Sequence, residues 1–456
     1  MREPMRRMRL LHRYICDQCI CGARHTLSLR RFCFITLGIM LPAVTSYARQ
    51  SDTAILVDSI PFPEVRRARE PWEYVLSVPG WLIGAPFIIT TEAIAGTYRF
   101  LHRQETLQRI LSLIFVVEDT TVILAPAYSS RTGLGVSYRK KGIWRDASEL
   151  EITGTYGTRN RHGFELSMNN TFPFALPMNY SIGVDYEYIP DRSFFGIGPD
   201  NAEDDETRFG LATIDSELMT AAAPKDYLRT AAGIQFDKVF IFESKHEDEP
   251  ATQEVFDTDR LPGFKSGGLF LGPGVGLELD FRANRHRPTG GLWVVIGGAL
   301  VWELTGERLS YWTTGTDMRL YLAAPWFGDR VFVLRSAYAT VHGLGGGSVP
   351  LFALSKFSGE GTVRGYTTAR FRDNEMLILS AEYRYLIWEN VLSKVDAVAF
   401  VDAGQVQEHI FAGAKWDDFR LGVGGGLRIH DDQVYLGSIM AAFGKDEFRL
   451  TVDVGW

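Results

Sequence analysis

Residues 447–456 alternate without a fault. Phe448, Leu450, Val452, Val454 and Trp456 are apolar, and Glu447, Arg449, Thr451, Asp453 and Gly455 stand between them. A period of two puts successive side chains on opposite faces of a pleated strand, so the segment has one greasy face and one polar face. Residues 376–386 repeat the pattern: Leu377, Leu379, Ala381, Tyr383 and Tyr385 share one face, and Ser380, Glu382 and Arg384 the other. Residues 395–404 do so again, with Val395, Ala397, Ala399, Val401 and Ala403 against Asp396, Asp402 and Gly404. From Thr121 onward about sixteen such segments follow one another, at 121–128, 133–140, 147–157, 162–170, 179–189, 207–221, 226–241, 267–281, 291–304, 309–323, 330–342, 375–387, 395–405, 419–429, 433–443 and 447–456. Their number is even and their lengths suit tilted membrane-crossing strands, as a bacterial outer-membrane barrel requires.

The gaps between segments test this independently. A barrel of this kind has short inner turns and longer outer loops, so long gaps should follow odd-numbered strands. The three longest, 190–206, 242–266 and 343–374, follow the fifth, seventh and eleventh segments. A propeller or sandwich has no reason to sort its loops by parity. The first two loops are acidic, at Asp200, Glu203, Asp204, Asp205 and Glu206 and at Glu243, Glu247, Asp248 and Glu249. Solvated loops explain that charge more simply than divalent-cation or lipopolysaccharide contact does.

Composition agrees. A mean hydropathy of −0.05 excludes a bundle of membrane helices, but not a barrel whose two faces average out. Residues 1–48 hold eight Arg against Glu3 and Asp17, so they carry +6, and with a whole-chain charge of −7 the remainder carries −13. An acidic body argues against nucleic acid as a partner and leaves outer-membrane lipids as the expected surroundings. Arg30 and Arg31, the apolar run 32–44 and Ser46-Tyr47-Ala48 form the pattern of an export signal, so 1–48 is expected to be removed. All four cysteines (Cys16, Cys19, Cys21 and Cys33) fall inside it, so the mature chain would lack disulfides. Its stability must then come from another device, such as a closed hydrogen-bonded sheet. Residues 49–120 are proline-rich at first. Ile94, Tyr98, Leu101, Ile110 and Ile114 then lie among charged neighbours, which predicts an amphipathic helix at the periplasmic mouth or in the lumen. The expected organisation is thus a signal peptide at 1–48, a short helical periplasmic or plug segment at 49–120, and an all-β, sixteen-stranded antiparallel transmembrane barrel at 121–456.

Three motifs give this barrel a relative. Leu279-Asp280-Phe281-Arg282-Ala283-Asn284 followed by Pro288-Thr289-Gly290-Gly291 is a strand-turn-strand signature. Gly359-Glu360-Gly361-Thr362-Val363-Arg364-Gly365-Tyr366 lies in the loop 343–374, and Phe400-Val401-Asp402-Ala403-Gly404 lies on a strand. In this order, and with Gly424-Gly425-Gly426-Leu427-Arg428 and the terminal Trp456, they resemble the bacterial surface antigen family, the barrel shared by BamA and TamA. The likeness is good over 265–456 and rests on pattern alone over 120–264. It implies that the loop 343–374 folds back into the lumen and is locked there by Arg364. By alternation Glu382 and Asp402 point to the polar face, and a guanidinium can bind such carboxylates through paired, charge-assisted hydrogen bonds. Gly365, Tyr366 and Gly404 belong to the same expected lock. Asp280, Arg282, Asn284, Pro288 and Gly290 form the expected turn motif, and Phe448 and Trp456 the terminal-strand signature. Family members that insert or translocate proteins carry soluble POTRA repeats ahead of the barrel. Residues 49–120 show no matching alternation of strand and helix, which sets the chain nearer to the short members.

Enzyme chemistry is not expected. There is no Gly-x-Ser-x-Gly, His-Glu-x-x-His or Walker loop. Gly272-x-Gly274-x-Gly276 and Gly422-x-Gly424-x-Gly426 sit inside strands, where glycine relieves packing or permits curvature. His102, His162, His246, His286, His342, His409 and His430 are dispersed, and neither a metal nor a cofactor is expected. Two functions remain open. One is a membrane-biogenesis factor acting in outer-membrane protein or lipid assembly, which admits a client such as an unfolded outer-membrane protein, with or without periplasmic partners, through a weak seam between its first and last strands. The other is a structural, porin-like or surface-antigen barrel.

Overall fold

The computed structural model describes residues 26–27 and 122–454, apart from 130, 144–147, 174–176, 245–248, 286, 324–329, 358–361, 390–393, 414–415 and 431–434. The expected signal peptide (except Thr26 and Leu27), the expected helix within 49–120, and Trp456 lie outside the described residues.

Wherever the sequence alternates, the chain is a strand. In order these are β1 (Val122–Ser129), β2 (Gly133–Lys141), β3 (Glu149–Tyr156), β4 (His162–Pro173), β5 (Pro177–Phe194), β6 (Thr207–Lys225), β7 (Leu228–Glu243) and β8 (Gly268–Asp280). Then come β9 (Gly291–Glu303), β10 (Tyr311–Ala323), β11 (Arg330–Gly343), β12 (Glu375–Glu389), β13 (Lys394–Gln407), β14 (Arg420–His430), β15 (Tyr435–Phe443) and β16 (Phe448–Val454). Each pairs antiparallel with the next, so the sixteen strands form one continuous meander. The fold class is all-β.

The faces sort inside out, compared with a water-soluble protein. On β16, Phe448, Leu450 and Val452 are 57%, 65% and 61% exposed, and Leu134, Val136, Val275, Leu300, Leu334 and Val423 stand out from other strands. The alternate positions are buried and polar, among them Asp237, Glu278, Asp317, Asp396 and Asp402. An apolar outside and a polar inside are what lipid around a lined lumen selects. Among the described residues no helix is long and apolar enough to cross a membrane.

Contacts across the inside show that the sheet curls. Arg420 of β14 reaches Asp200, in the connection after β5, at 2.7 Å. Arg287, in the turn between β8 and β9, reaches Asp396 of β13 at 3.2 Å. A flat sheet keeps such partners many strands apart; a barrel brings them together. The three long connections also meet at one end, as their parity predicts. Gly198 donates to the Arg372 carbonyl at 2.9 Å, and Leu351 to that of Pro262 at 2.9 Å. Beneath them Phe194, Phe209, Phe264, Phe270, Tyr311, Leu351 and Phe352 form an apolar core inside that end.

The expected closure of the cylinder is not seen. Among the described residues no ladder joins β16 to β1. These edges are short, with eight residues in β1 and seven in β16, against 18 and 19 in β5 and β6. Short edges can form only a short ladder. Part of the β1 edge is instead paired with Thr26 and Leu27, opposite Ser129 and Tyr128.

Candidate functional site: a loop held inside the barrel

The connection 343–374 turns inward. It contains a single helical turn (Leu351–Ala353) and a small hairpin in which Ser355–Phe357 pairs with Phe371–Asp373. Phe357 stacks on Phe371 at 5.1 Å, and Tyr366 meets Phe371 edge-on at 5.4 Å. With Val363, Met376, Ile378 and Val406 they form a second buried cluster, so the tip of the loop is anchored by apolar packing before any charge is considered.

Glycine lets the tip approach the wall. Gly365 has φ +99°, a backbone conformation that L side chains rarely adopt. A Cβ on Gly404 would lie 2.5 Å from Val363, and one on Gly422 only 1.9 Å from the Arg364 carbonyl oxygen. Gly404 and Gly422 lie on neighbouring strands, and Gly422 pairs with Asp402 in the register. A larger residue at either position would push the loop out of its seat.

Arg364 fills the space this creates. Its Nε donates to Asp402 Oδ2 at 2.7 Å and its Nη2 to Asp402 Oδ1 at 2.8 Å. Its backbone N–H donates to Asp402 Oδ2 at 3.1 Å. Nη1 donates to Glu382 Oε2 at 3.0 Å, and the guanidinium lies 3.4 Å from the Phe400 ring centroid. Ser380, opposite Asp402 in the register, donates its hydroxyl to Asp402 Oδ1 at 2.6 Å. Asp402, fully buried, therefore accepts four hydrogen bonds, which occupy its lone pairs and leave none for a metal ion. Burial opposes the charge on Arg364, but Asp402 and Glu382 outweigh it and raise its pKa above the ordinary value. Glu382 is shared: Arg384 Nε lies 2.5 Å from its Oε1, and Arg428 Nη1 3.7 Å away. Alternation placed Glu382 and Asp402 on the inner face. Ser380, Arg384 and Phe400 are a contribution that sequence reasoning missed, although the first two share the inner face of β12 with Glu382.

A second set of contacts ties the loop to the outer hairpin between β15 and β16. Tyr366, buried, donates its hydroxyl to the Leu421 carbonyl at 3.0 Å and accepts from the Lys445 N–H at 3.1 Å. Thr367 donates to Glu447 at 2.8 Å. Arg370 pairs with Glu447 and, at 2.7 Å, with Asp446, and donates to the Asn201 carbonyl at 3.0 Å. The Arg370 hydrogen bond holds the Asp446 carboxyl below its usual range.

The turn motif lies elsewhere, in the short connection from β8 to β9. Asp280 binds Arg282 through both carboxylate oxygens, at 2.7 and 2.8 Å, and Arg285 at 3.1 Å. Arg282 lies over the Trp293 ring at 5.5 Å. Asn284 accepts from the Arg287 N–H at 3.1 Å, and Pro288 is buried. Gly290 accepts from Ala283 but would have open space around a Cβ. The glycine that the backbone requires is Gly291, with φ +109° and a Cβ position 2.3 Å from the Phe281 carbonyl oxygen. Phe448 is outward and packs on Phe443 at 4.8 Å. The structure thus unites Arg364, Gly365, Tyr366, Glu382, Asp402 and Gly404, and keeps the turn motif and Phe448 apart from them.

A family profile described as the Omp85 superfamily domain matches residues 146–433. Among solved structures, BamA from Haemophilus ducreyi lacking POTRA domains 1–3 matches with a TM-score of 0.52 and 17% identity, over 73% of this chain and 68% of that one. That likeness is one of fold. CdiB from Acinetobacter baumannii matches with a TM-score of 0.43 and 9% identity, over 74% of this chain and 58% of that one. CdiB from Escherichia coli matches with a TM-score of 0.45 and 12% identity, over 75% of this chain and 62% of that one. The chain therefore spans less than two thirds of either CdiB. No curated protein matches it in sequence.

Proposed function

Since the chain belongs to the Omp85 superfamily, we propose that it acts in outer-membrane assembly, receiving unfolded outer-membrane protein at the seam between β1 and β16. The observation that carries this reading is the unequal pairing of the sheet. Consecutive ladders run from β1 to β16, and among the described residues none links the two ends. Beyond Tyr128 and Ser129, which face Leu27 and Thr26, such an edge offers a row of backbone N–H and C=O groups to which another chain can add as a strand. Inside lipid those groups have no water to turn to, so an incoming strand is a favourable partner. The inward loop supports the same reading, because it occupies the lumen that a porin would keep open.

Deletion of the gene tests this in cells. Quantitative comparison of outer membranes should show several other barrels depleted in the deletion strain. Loss of this barrel alone would overturn the proposal and favour a structural, porin-like or surface-antigen role.

A further inference from the structure

Two histidines far apart in sequence meet at the outer end of the barrel. His342 is the penultimate residue of β11, Glu375 the first of β12, and His409 lies just beyond β13. His342 Nε2 is 3.4 Å from Glu375 Oε1, and His409 Nδ1 is 3.8 Å from that same oxygen. One donor atom from each residue lies within 4.8 Å of the others. The rings of His342 and His409 stack at 5.6 Å. We propose that His342, Glu375 and His409 form a binding site for a divalent transition-metal ion of the zinc class, in the outer loops and distinct from the Arg364 lock.

Two imidazoles and one carboxylate are a donor set that suits zinc and its neighbours, with a further position left to solvent. Zinc bonds of about 2.0–2.1 Å set donor atoms roughly 3.4 Å apart on a tetrahedron. The His342–Glu375 separation already has that value, and His409, 3.8 Å from Glu375 in a set spanning up to 4.8 Å, must draw closer to both. The carboxylate is oriented from behind: Glu375 Oε2 accepts the Ile410 N–H at 3.0 Å, and Tyr338 hydrogen-bonds the same carboxylate. The Thr340 hydroxyl lies 2.8 Å from His342 Nε2 and must release that nitrogen. Tyr338 offers Thr340 another partner. Asp373 and Glu408 lie near enough to His409 and Glu375 to add negative charge around the site, which favours a cation.

The placement gives the ion a structural task. His342 ends the strand that enters the long loop 343–374, and Glu375 begins the strand that leaves it. A bound ion would clip the base of that loop shut and tie it to the outer connection 408–419. Closing a long loop at its base removes conformational freedom from the open state.

The test uses the full chain, folded in detergent and stripped of metal with a chelator. Zn²⁺ and Ni²⁺ are titrated calorimetrically into wild type, His409→Ala, His342→Ala and Glu375→Gln. His409 is 58% exposed, so its removal leaves the fold in place, which circular dichroism checks. The four N-terminal cysteines are unchanged in every variant, so the difference between proteins isolates this site. The expected result is at least about a tenfold loss of affinity in each variant. In parallel, Zn²⁺ should slow proteolysis within 343–374 in wild type but not in His409→Ala. Equal affinity in wild type and His409→Ala, or no binding by wild type, would overturn the proposal.

Discussion

A buried carboxylate is stable only while its charge is answered. Asp402 has no exposed surface, and Arg364 supplies three of its four hydrogen bonds. Removing one partner of such a pair costs roughly 3–5 kcal/mol, because the other charge stays behind in a place it cannot leave. Arg364→Ala should therefore lower the temperature at which the barrel loses its compact, heat-modifiable migration in gels, and Arg364→Lys should recover little, since an ammonium cannot match a planar fork. Gly422→Val tests the same seat without touching a charge. Its side chain would collide with the Arg364 carbonyl, so tryptic cleavage at Arg364 should become fast while the strands stay folded. Arg364, Glu382 and Asp402 were legible in the sequence because alternation assigns two of them to the inner face and a motif singles out the third. Ser380 and Phe400 were not, because their roles depend on cross-strand register. His342 and His409 stand far apart in the sequence, and nothing local in it shows that β11 and the end of β13 share one rim.

The loop 343–374 behaves as an element with two attachments. Its tip is seated on β12, β13 and β14, and its return is tied to the β15–β16 hairpin through Arg370, Asp446 and Glu447. The outer tie should respond to acid. Because Arg370 depresses the Asp446 pKa in the folded state, its contribution is complete above the unfolded value of about 3.9 and is lost as pH falls through the lower folded value. Asp446 is 42% exposed, so solvent screens the effect and it stays small. Melting curves should show Asp446→Asn less stable than wild type at pH 6, and the gap should close as pH drops below about 4. A gap that persists unchanged at pH 3 would contradict this assignment. The extent of the loop was readable from the long break in alternation. Its inward course was expected from resemblance, but the packing of Phe357, Tyr366 and Phe371 that anchors it was not, because short apolar stretches in a loop carry no period.

At the scale of the whole molecule, the period of two does most of the work. It places sixteen strands close to their observed bounds, since each slip by one residue would turn an oily face toward the lumen. What it leaves open is how the first and last strands meet. That depends on edge length and twist, and β1 and β16 are the shortest stretches of the meander with β3. The proposed activity depends on this seam. The most direct measurement places the purified, folded protein in liposomes and follows insertion of an unfolded outer-membrane barrel by its heat-modifiable migration. The account predicts faster insertion than in empty liposomes. Ion conductance without any gain in insertion rate would contradict it.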